Sequence, residues 1–93
     1  PAGGDEYLLF EILRTSFIKK KYSDSIDALK KFLAQNRSKQ VTDRANFYLG
    51  ESYYYTGNFP SALTYFLSLE ETYPELSRKW TESTLDNFSV ETE

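Results

Sequence analysis

Three carboxylates near the middle of the second half are the side chains of this 93-residue chain best suited to catalysis. Glu70, Glu71 and Glu75 lie close together, and paired carboxylates can act as a general acid and a general base. The chain has no His and no Cys, which removes the commonest base and the usual metal ligands. The glycine pair Gly3-Gly4 precedes no strand, so it forms no phosphate loop. The sequence therefore predicts a non-enzymatic protein with no catalytic residue, metal or cofactor, and the three acids are interpreted as a solvated surface.

A run of tyrosines is the second chemically distinctive feature. Tyr53, Tyr54 and Tyr55 are consecutive, so on a helix they point in directions about 100° apart. We assign Tyr53 to the core, whereas Tyr54 and Tyr55 face solvent or a binding surface. Tyrosine is enriched where interfaces are strongest, which favours anchors for a partner protein. The alternative is that both side chains pack within the chain.

Charge and hydropathy exclude two classes of partner. The net charge is −3, and nucleic-acid binding needs a clustered basic surface. The run Lys19–Lys21 is interpreted as a solvated helix end. No apolar run approaches the ~18 residues that a membrane-spanning helix needs. The sequence therefore predicts no nucleic-acid partner and no direct membrane span.

Residues 43–76 carry a spaced pattern of small, aromatic and helix-breaking residues. If Asp43 is position 1, the pattern falls at positions 7, 8, 11, 15, 17, 20, 24, 27 and 32. Its members are Leu49, Gly50, Tyr53, Gly57, Phe59, Ala62, Phe66, Leu69 and Pro74. This is the spacing of a 34-residue helix–turn–helix unit. Small residues at positions 8 and 20 allow the two helices to approach closely, and large ones fill the space around the crossing.

The preceding segment fits the same template with gaps. Setting Tyr22 at position 17 puts Ile12, Leu29 and Phe32 at positions 7, 24 and 27. The residues that depart from the template are Leu13, Ser16, Ser25 and Arg37. Because each hairpin alone leaves an apolar face exposed, the two units are expected to stack.

These motifs resemble those of tetratricopeptide repeat proteins. The match covers about 70 residues, and residues 47–62 resemble repeats of bacterial cell-envelope members associated with the Tol–Pal system or with outer-membrane β-barrel assembly. The resemblance implies an all-α fold: two helical hairpins plus a C-terminal capping helix in a short right-handed α-solenoid. It favours a periplasmic or cell-envelope location and leaves a cytoplasmic one open.

The resemblance also implies which residues face a partner. In this family the first helices of successive hairpins line a concave groove that holds a peptide or helix. Its positions 2, 5, 9, 12 and 13 correspond in the first repeat to Tyr7, Phe10, Arg14, Phe17 and Ile18. In the second repeat they are Arg44, Phe47, Glu51, Tyr54 and Tyr55. Chaperone-binding members carry Lys at position 5 and Asn at position 9, and this chain has neither.

Capping residues predict where the first two helices begin and end. The first helix is predicted to run from an N-cap at Asp5 to about Lys20, with a 3.6-residue apolar period. The second is predicted from an N-cap at Ser23 to about Asn36. Residues 36–40 are polar and non-periodic and predict a loop.

The third helix is predicted to begin at a Thr42 cap and to run to about Thr56. Gly57 then supplies the left-handed residue that ends it.

Proline marks the last two helices. Pro60 is placed at the first position of the fourth helix, where no N–H is needed. This helix is predicted to run to about Thr72 and to be broken by Pro74. Ser77 is predicted to cap a fifth helix over 78–88.

The chain is therefore divided into 1–4 as a flexible lead, 5–39 as the first repeat, 40–76 as the second, 77–88 as a capping helix and 89–93 as a frayed tail. Trp80, Leu85 and Phe88 are interpreted as a lid over the second hairpin. Alternatively, this segment is the first helix of a truncated third repeat, with Trp80 at position 4.

Binding of a partner protein's peptide or helix is the predicted function. The alternative is a structural module that associates with itself, as a homo-oligomer, or with further repeats.

Overall fold

The computed structural model describes residues 3–88, which are helical and contain no strand. This confirms the predicted all-α fold. The helices are α1 (Gly4–Ile12), continued by a π-helical turn (Leu13–Phe17), α2 (Tyr22–Leu33), α3 (Lys39–Tyr55), α4 (Phe59–Leu67) and α5 (Pro74–Leu85). The predicted tail 89–93 and the first two residues of the predicted lead lie outside the described residues.

Each helix packs against the next one along the chain, and α1 also contacts α3. The described residues therefore form two helical hairpins, α1–α2 and α3–α4, followed by α5. The main apolar cluster joins the first three helices through Leu9, Leu29, Phe32, Val41, Ala45 and Leu49. Ala62, Phe66 and Leu69 are also fully buried, and they belong to the second hairpin. Adjacent packed helices of this kind make a small α-solenoid-like fold.

The first helix differs from its predicted form at both ends. Its N-cap is Gly3, with a positive φ of 85°, so the expected Asp5 cap is wrong and Asp5 lies in the first turn. Beyond Ile12 the backbone widens into the π-helical turn, where the Ile18 N–H donates to the Leu13 carbonyl at 2.9 Å. The helix ends before Lys20, which has a φ of 61°. Left-handed backbone of this kind commonly ends a helix.

Asp5 and Arg37 join the start of α1 to the segment before α3. The Arg37 guanidinium forms an ion pair with the Asp5 carboxylate. It also donates from Nε to the Phe32 carbonyl at 2.7 Å and lies over the Phe32 ring at 3.7 Å. Arg37, which departs from the repeat template, therefore links α1, α2 and the segment that leads into α3.

The N-caps of α2 and α3 lie earlier than predicted. Lys21 precedes the first residue of α2, so Ser23 is inside the helix rather than at its cap. The cap of α3 is Ser38 rather than Thr42, and its side chain accepts a hydrogen bond from the Val41 N–H at 3.3 Å. Ser38 has the extended backbone that an N-cap requires, and the polar residues after it continue into the helix.

The close approach expected within the second hairpin is present. A Cβ at Gly50 would lie 2.8 Å from the Phe66 ring, and Ala62 is fully buried. The Tyr53 ring is half-buried and stacks on Tyr65 at 5.7 Å. Gly57 has a φ of 83° just beyond α3, which confirms its predicted role in ending that helix.

The last two helices are bounded differently from the prediction. α4 ends at Leu67, and α5 begins at Pro74, so Pro74 starts a helix instead of breaking one. Proline suits this position because its missing N–H would have no helical partner. Ser77 is not a cap, since it is buried and donates to the Phe66 carbonyl at 2.7 Å. Leu85 is 49% exposed and is therefore not part of a lid.

Candidate functional site

The predicted binding residues of the first repeat lie along one side of α1 and its π-helical turn. Tyr7 and Phe10 are three residues apart, which places them on neighbouring turns of one helix face. Their side chains are 62% and 56% exposed. They form an aromatic strip that the described residues leave open to solvent.

Two of the other three residues of this row have partners within the chain, whereas Ile18 is 68% exposed. Arg14 is exposed and its Nη2 lies 2.6 Å from Glu11 Oε1, a contact that lowers the pKa of Glu11. Exposed pairs of this kind add little to stability. The Phe17 ring is half-buried, edge-on to Tyr48 at 5.2 Å and to Tyr22 at 5.5 Å.

Contacts at both ends show that α1 and α3 run in the same direction. Near their starts, Arg44 Nη1 lies 2.9 Å from Glu6 Oε1. At the end of the π-helical turn that continues α1, Phe17 meets Tyr48. The two helices therefore lie side by side, and we treat the predicted rows of both repeats as one surface. We call this surface, together with Trp80 of α5, the groove face.

Four aromatic side chains form the central part of the groove face. The Trp80 ring lies 6.0 Å from Phe47, 5.3 Å from Tyr54 and 6.3 Å from Tyr55, each time nearly perpendicular to its neighbour. Edge-to-face rings at such distances attract each other. We call these four residues the aromatic frame.

Tyr54 and Tyr55 have different surroundings. The Tyr54 hydroxyl lies 2.7 Å from Ser83 Oγ, and its ring meets Phe59 edge-on at 5.5 Å. Tyr55 stacks on Tyr22 at 5.0 Å and is 49% exposed. Tyr54 thus helps to attach α5 to α3, whereas about half of Tyr55 is available to solvent.

Glu51 shares one side of α3 with three rings of the aromatic frame. It is four residues after Phe47, three before Tyr54 and four before Tyr55 on α3, so all three rings lie one turn away from it. The residue is only 8% exposed. Burial raises the pKa of its carboxyl group to about 7. Burial also raises the pKa of the Tyr55 hydroxyl, and the charge of Glu51 is the second cause of this increase.

The structure brings together the predicted residues of the second repeat and leaves those of the first beside them. Phe47, Glu51, Tyr54 and Tyr55 form one compact group. The sequence argument assigned Trp80 to a lid and missed its place in the frame. A signal existed, since unbroken counting put Trp80 in the first helix of a third repeat.

Within residues 3–88 the carboxylates considered for catalysis do not form a buried cluster. Glu70, Glu71 and Glu75 are exposed. No group of three or more acidic, His or Cys side chains in this range could hold a metal ion.

None of the helices between residues 3 and 88 has the length and apolar character needed to cross a membrane. Comparison of the chain with protein-family profiles, curated proteins and solved structures gave no match.

Proposed function

We propose that the groove face binds a peptide or a helix of a partner protein, and that the chain is a non-catalytic interaction module of the tetratricopeptide type. One observation carries this proposal: Tyr7 and Phe10 of α1 and Tyr55 of α3 are 62%, 56% and 49% exposed, on two helices that the Glu6–Arg44 and Phe17–Tyr48 contacts place side by side. Exposed apolar surface of this kind marks interaction sites in soluble proteins. Parallel α1 and α3 also suit a long ligand that contacts both.

The cell-envelope setting belongs to the same proposal. It is supported by the resemblance of residues 47–62 to repeats of bacterial envelope proteins, and by no other feature of the chain.

The test separates the groove face from the other exposed apolar residues. Random dodecapeptides displayed on phage are selected on the immobilised chain, and the affinities of the selected peptides are measured by calorimetry. We expect Phe10→Ser with Tyr55→Ser to weaken binding at least tenfold. The matched control, Leu67→Ser with Leu85→Ser, changes side chains of similar exposure, 46% and 49%, and should bind as the wild type does.

Thermal denaturation of all three proteins checks that the variants remain folded. Failure to select any peptide, or an equal loss of binding in both double variants, would contradict the proposal.

Self-association is a second candidate, which one feature favours. Leu8 is 48% exposed and borders a hollow between α1 and α2 that Ile12, Ala28 and Phe32 also line. Another helical hairpin or a second copy could pack there. Light scattering across a range of concentrations tests this candidate, because a constant monomer mass would exclude the homo-oligomer.

A further inference from the structure

We propose that Glu51 and the aromatic frame form a subsite for one basic side chain, Lys or Arg, of the bound peptide. This inference rests on the proposed function and adds the chemical class of the ligand. The proposed ligand is a cationic residue of a partner peptide, not an anionic or purely apolar one.

The first argument is the pairing of charges on the two helices of the groove face. Every other acidic residue of α1 and α3 has a basic partner within 4 Å: Asp5 with Arg37, Glu6 with Arg44, Glu11 with Arg14 and Asp43 with Lys39. Among residues 3–88, Glu51 is the one acidic residue of α1 and α3 without such a basic partner. Its negative charge is therefore the one on these helices that the described part of the chain does not balance.

The second argument is that the Glu51 carboxylate is largely buried but still in contact with solvent. The residue is 8% exposed and has no hydrogen-bond partner among residues 3–88. Within this range, Thr81 Oγ1 is the side-chain polar atom that is both fully enclosed and without a hydrogen-bond partner. Because the Glu51 oxygens also lack a partner there but are not fully enclosed, they must still contact solvent. A buried charge without a partner is costly. A cation arriving from solvent can reach this carboxylate and offset that cost.

The third argument is the chemistry of the surrounding rings. Trp and Tyr faces attract ammonium and guanidinium groups through their quadrupoles. Tyr54 and Tyr55 lie one helical turn after Glu51, and Trp80 contacts both of them. The same rings and the same charge repel a carboxylate or phosphate. The subsite therefore selects a cation by two effects that act together.

The fourth argument favours a peptide side chain over a free cation. Lys and Arg carry apolar stems that pack on hydrophobic surface while the charged head reaches a polar partner. Tyr55 offers a half-exposed ring beside Glu51, and the exposed aromatic strip of α1 extends the same surface. A peptide can thus place its basic head at Glu51 and its backbone along α1.

The experiment uses the peptides selected on the wild-type chain. We expect them to share a Lys or Arg at one position. Replacing that Arg by citrulline removes the charge with little change of shape, and acetylating that Lys removes the charge while adding a small group. This should weaken binding to the wild type about tenfold or more. It should cause little further loss on Glu51→Gln, because the carboxylate has already gone. Glu71→Gln removes an exposed acid outside the groove face and should behave as the wild type does.

A second readout follows the carboxyl group itself. The side-chain carbon of Glu51 is titrated by NMR with and without the selected peptide. Binding of a cation should lower the pKa of Glu51, whereas the citrulline peptide should not.

The outcomes separate this inference from the proposed function. Peptides that bind the groove face without a basic residue, or an equal citrulline effect on wild type and Glu51→Gln, would overturn the cation subsite and leave peptide binding intact. Failure to select peptides would remove both. N-acetyl-arginine amide binding as tightly as the peptides, or a dimer that Glu51→Gln dissolves, would overturn the commitment to a partner peptide.

Discussion

Glu51 places an ionisable side chain where the surroundings favour its neutral form. In the folded chain burial raises its pKa to about 7, against an ordinary value of 4.5. The folded state therefore binds the proton more tightly than the unfolded state does. By linkage, this carboxyl group reduces stability progressively as the pH rises from about 4.5 to about 7, and the reduction stays constant at higher pH.

Replacing Glu51 by Gln should remove this pH-dependent loss. One pKa unit corresponds to about 1.4 kcal/mol, and solvent contact of the carboxylate reduces the full effect. We expect Glu51→Gln to gain roughly 1–3 kcal/mol of unfolding free energy relative to wild type between pH 4 and pH 8. Urea denaturation at both pH values measures the difference. Glu71→Gln, an exposed control, should show no such change, and a gain of equal size at pH 4 and pH 8 would contradict the argument.

Among the helices, α3 has the best-defined start because a side chain caps it. The Ser38 hydroxyl satisfies the Val41 N–H, which would otherwise lack a helical partner. We expect Ser38→Ala to lower the unfolding free energy by about 1 kcal/mol. Ser23→Ala, at the position that the sequence predicted as the cap of α2, should change it by less than about 0.5 kcal/mol. Urea denaturation measures both, and an equal loss would mean that Ser23 also acts as a cap.

The helices themselves were largely predictable, but several of their ends were not. Apolar periodicity together with capping residues, glycine and proline identified every helix, and Gly57 correctly marked the end of α3. Ser23 and Ser38 are both acceptable caps by residue type, and only the tertiary position of each helix decides which one is used. Pro74 is ambiguous for the same reason, since proline both stops one helix and starts another.

The site was predictable in part for a related physical reason. Position counting placed Phe47, Glu51, Tyr54 and Tyr55 together on α3, because they follow one regular helix. It could not show that Trp80 completes their surroundings, since that contact depends on how α5 packs. The unbalanced charge of Glu51 also required the structure, because pairing between Glu6 and Arg44 spans distant parts of the sequence.

At the scale of the whole molecule, α3 is the central helix. It packs against α1, α2 and α4 and joins α5 through Tyr54 and Trp80. In a stack of helices each unit is stabilised by its neighbours, so the helix with most neighbours opens only when the whole fold opens.

Hydrogen exchange should reveal this order. We expect the backbone amides of Leu49 and Ser52 in α3 to exchange only through global unfolding. Amides of Phe10 and Glu11 in α1 should exchange at least tenfold faster, because this helix has an exposed side and fewer neighbours. Residue-resolved NMR exchange at several urea concentrations measures both. Equal protection in α1 and α3 would mean that the first hairpin does not open separately.

The widened turn at Leu13–Phe17 affects how sequences of this type should be aligned. A turn closed by i→i+5 bonds holds one residue more than an α-helical turn. The side chains directly after it are consequently turned by about one residue from their place on a regular α-helix, and Ile18, the last residue of the predicted row, has 68% of its surface in solvent. An alignment should nevertheless run through this turn without a gap, because Tyr22, Leu29 and Phe32 still fall at positions 17, 24 and 27 when counting is unbroken from Ile12 at position 7.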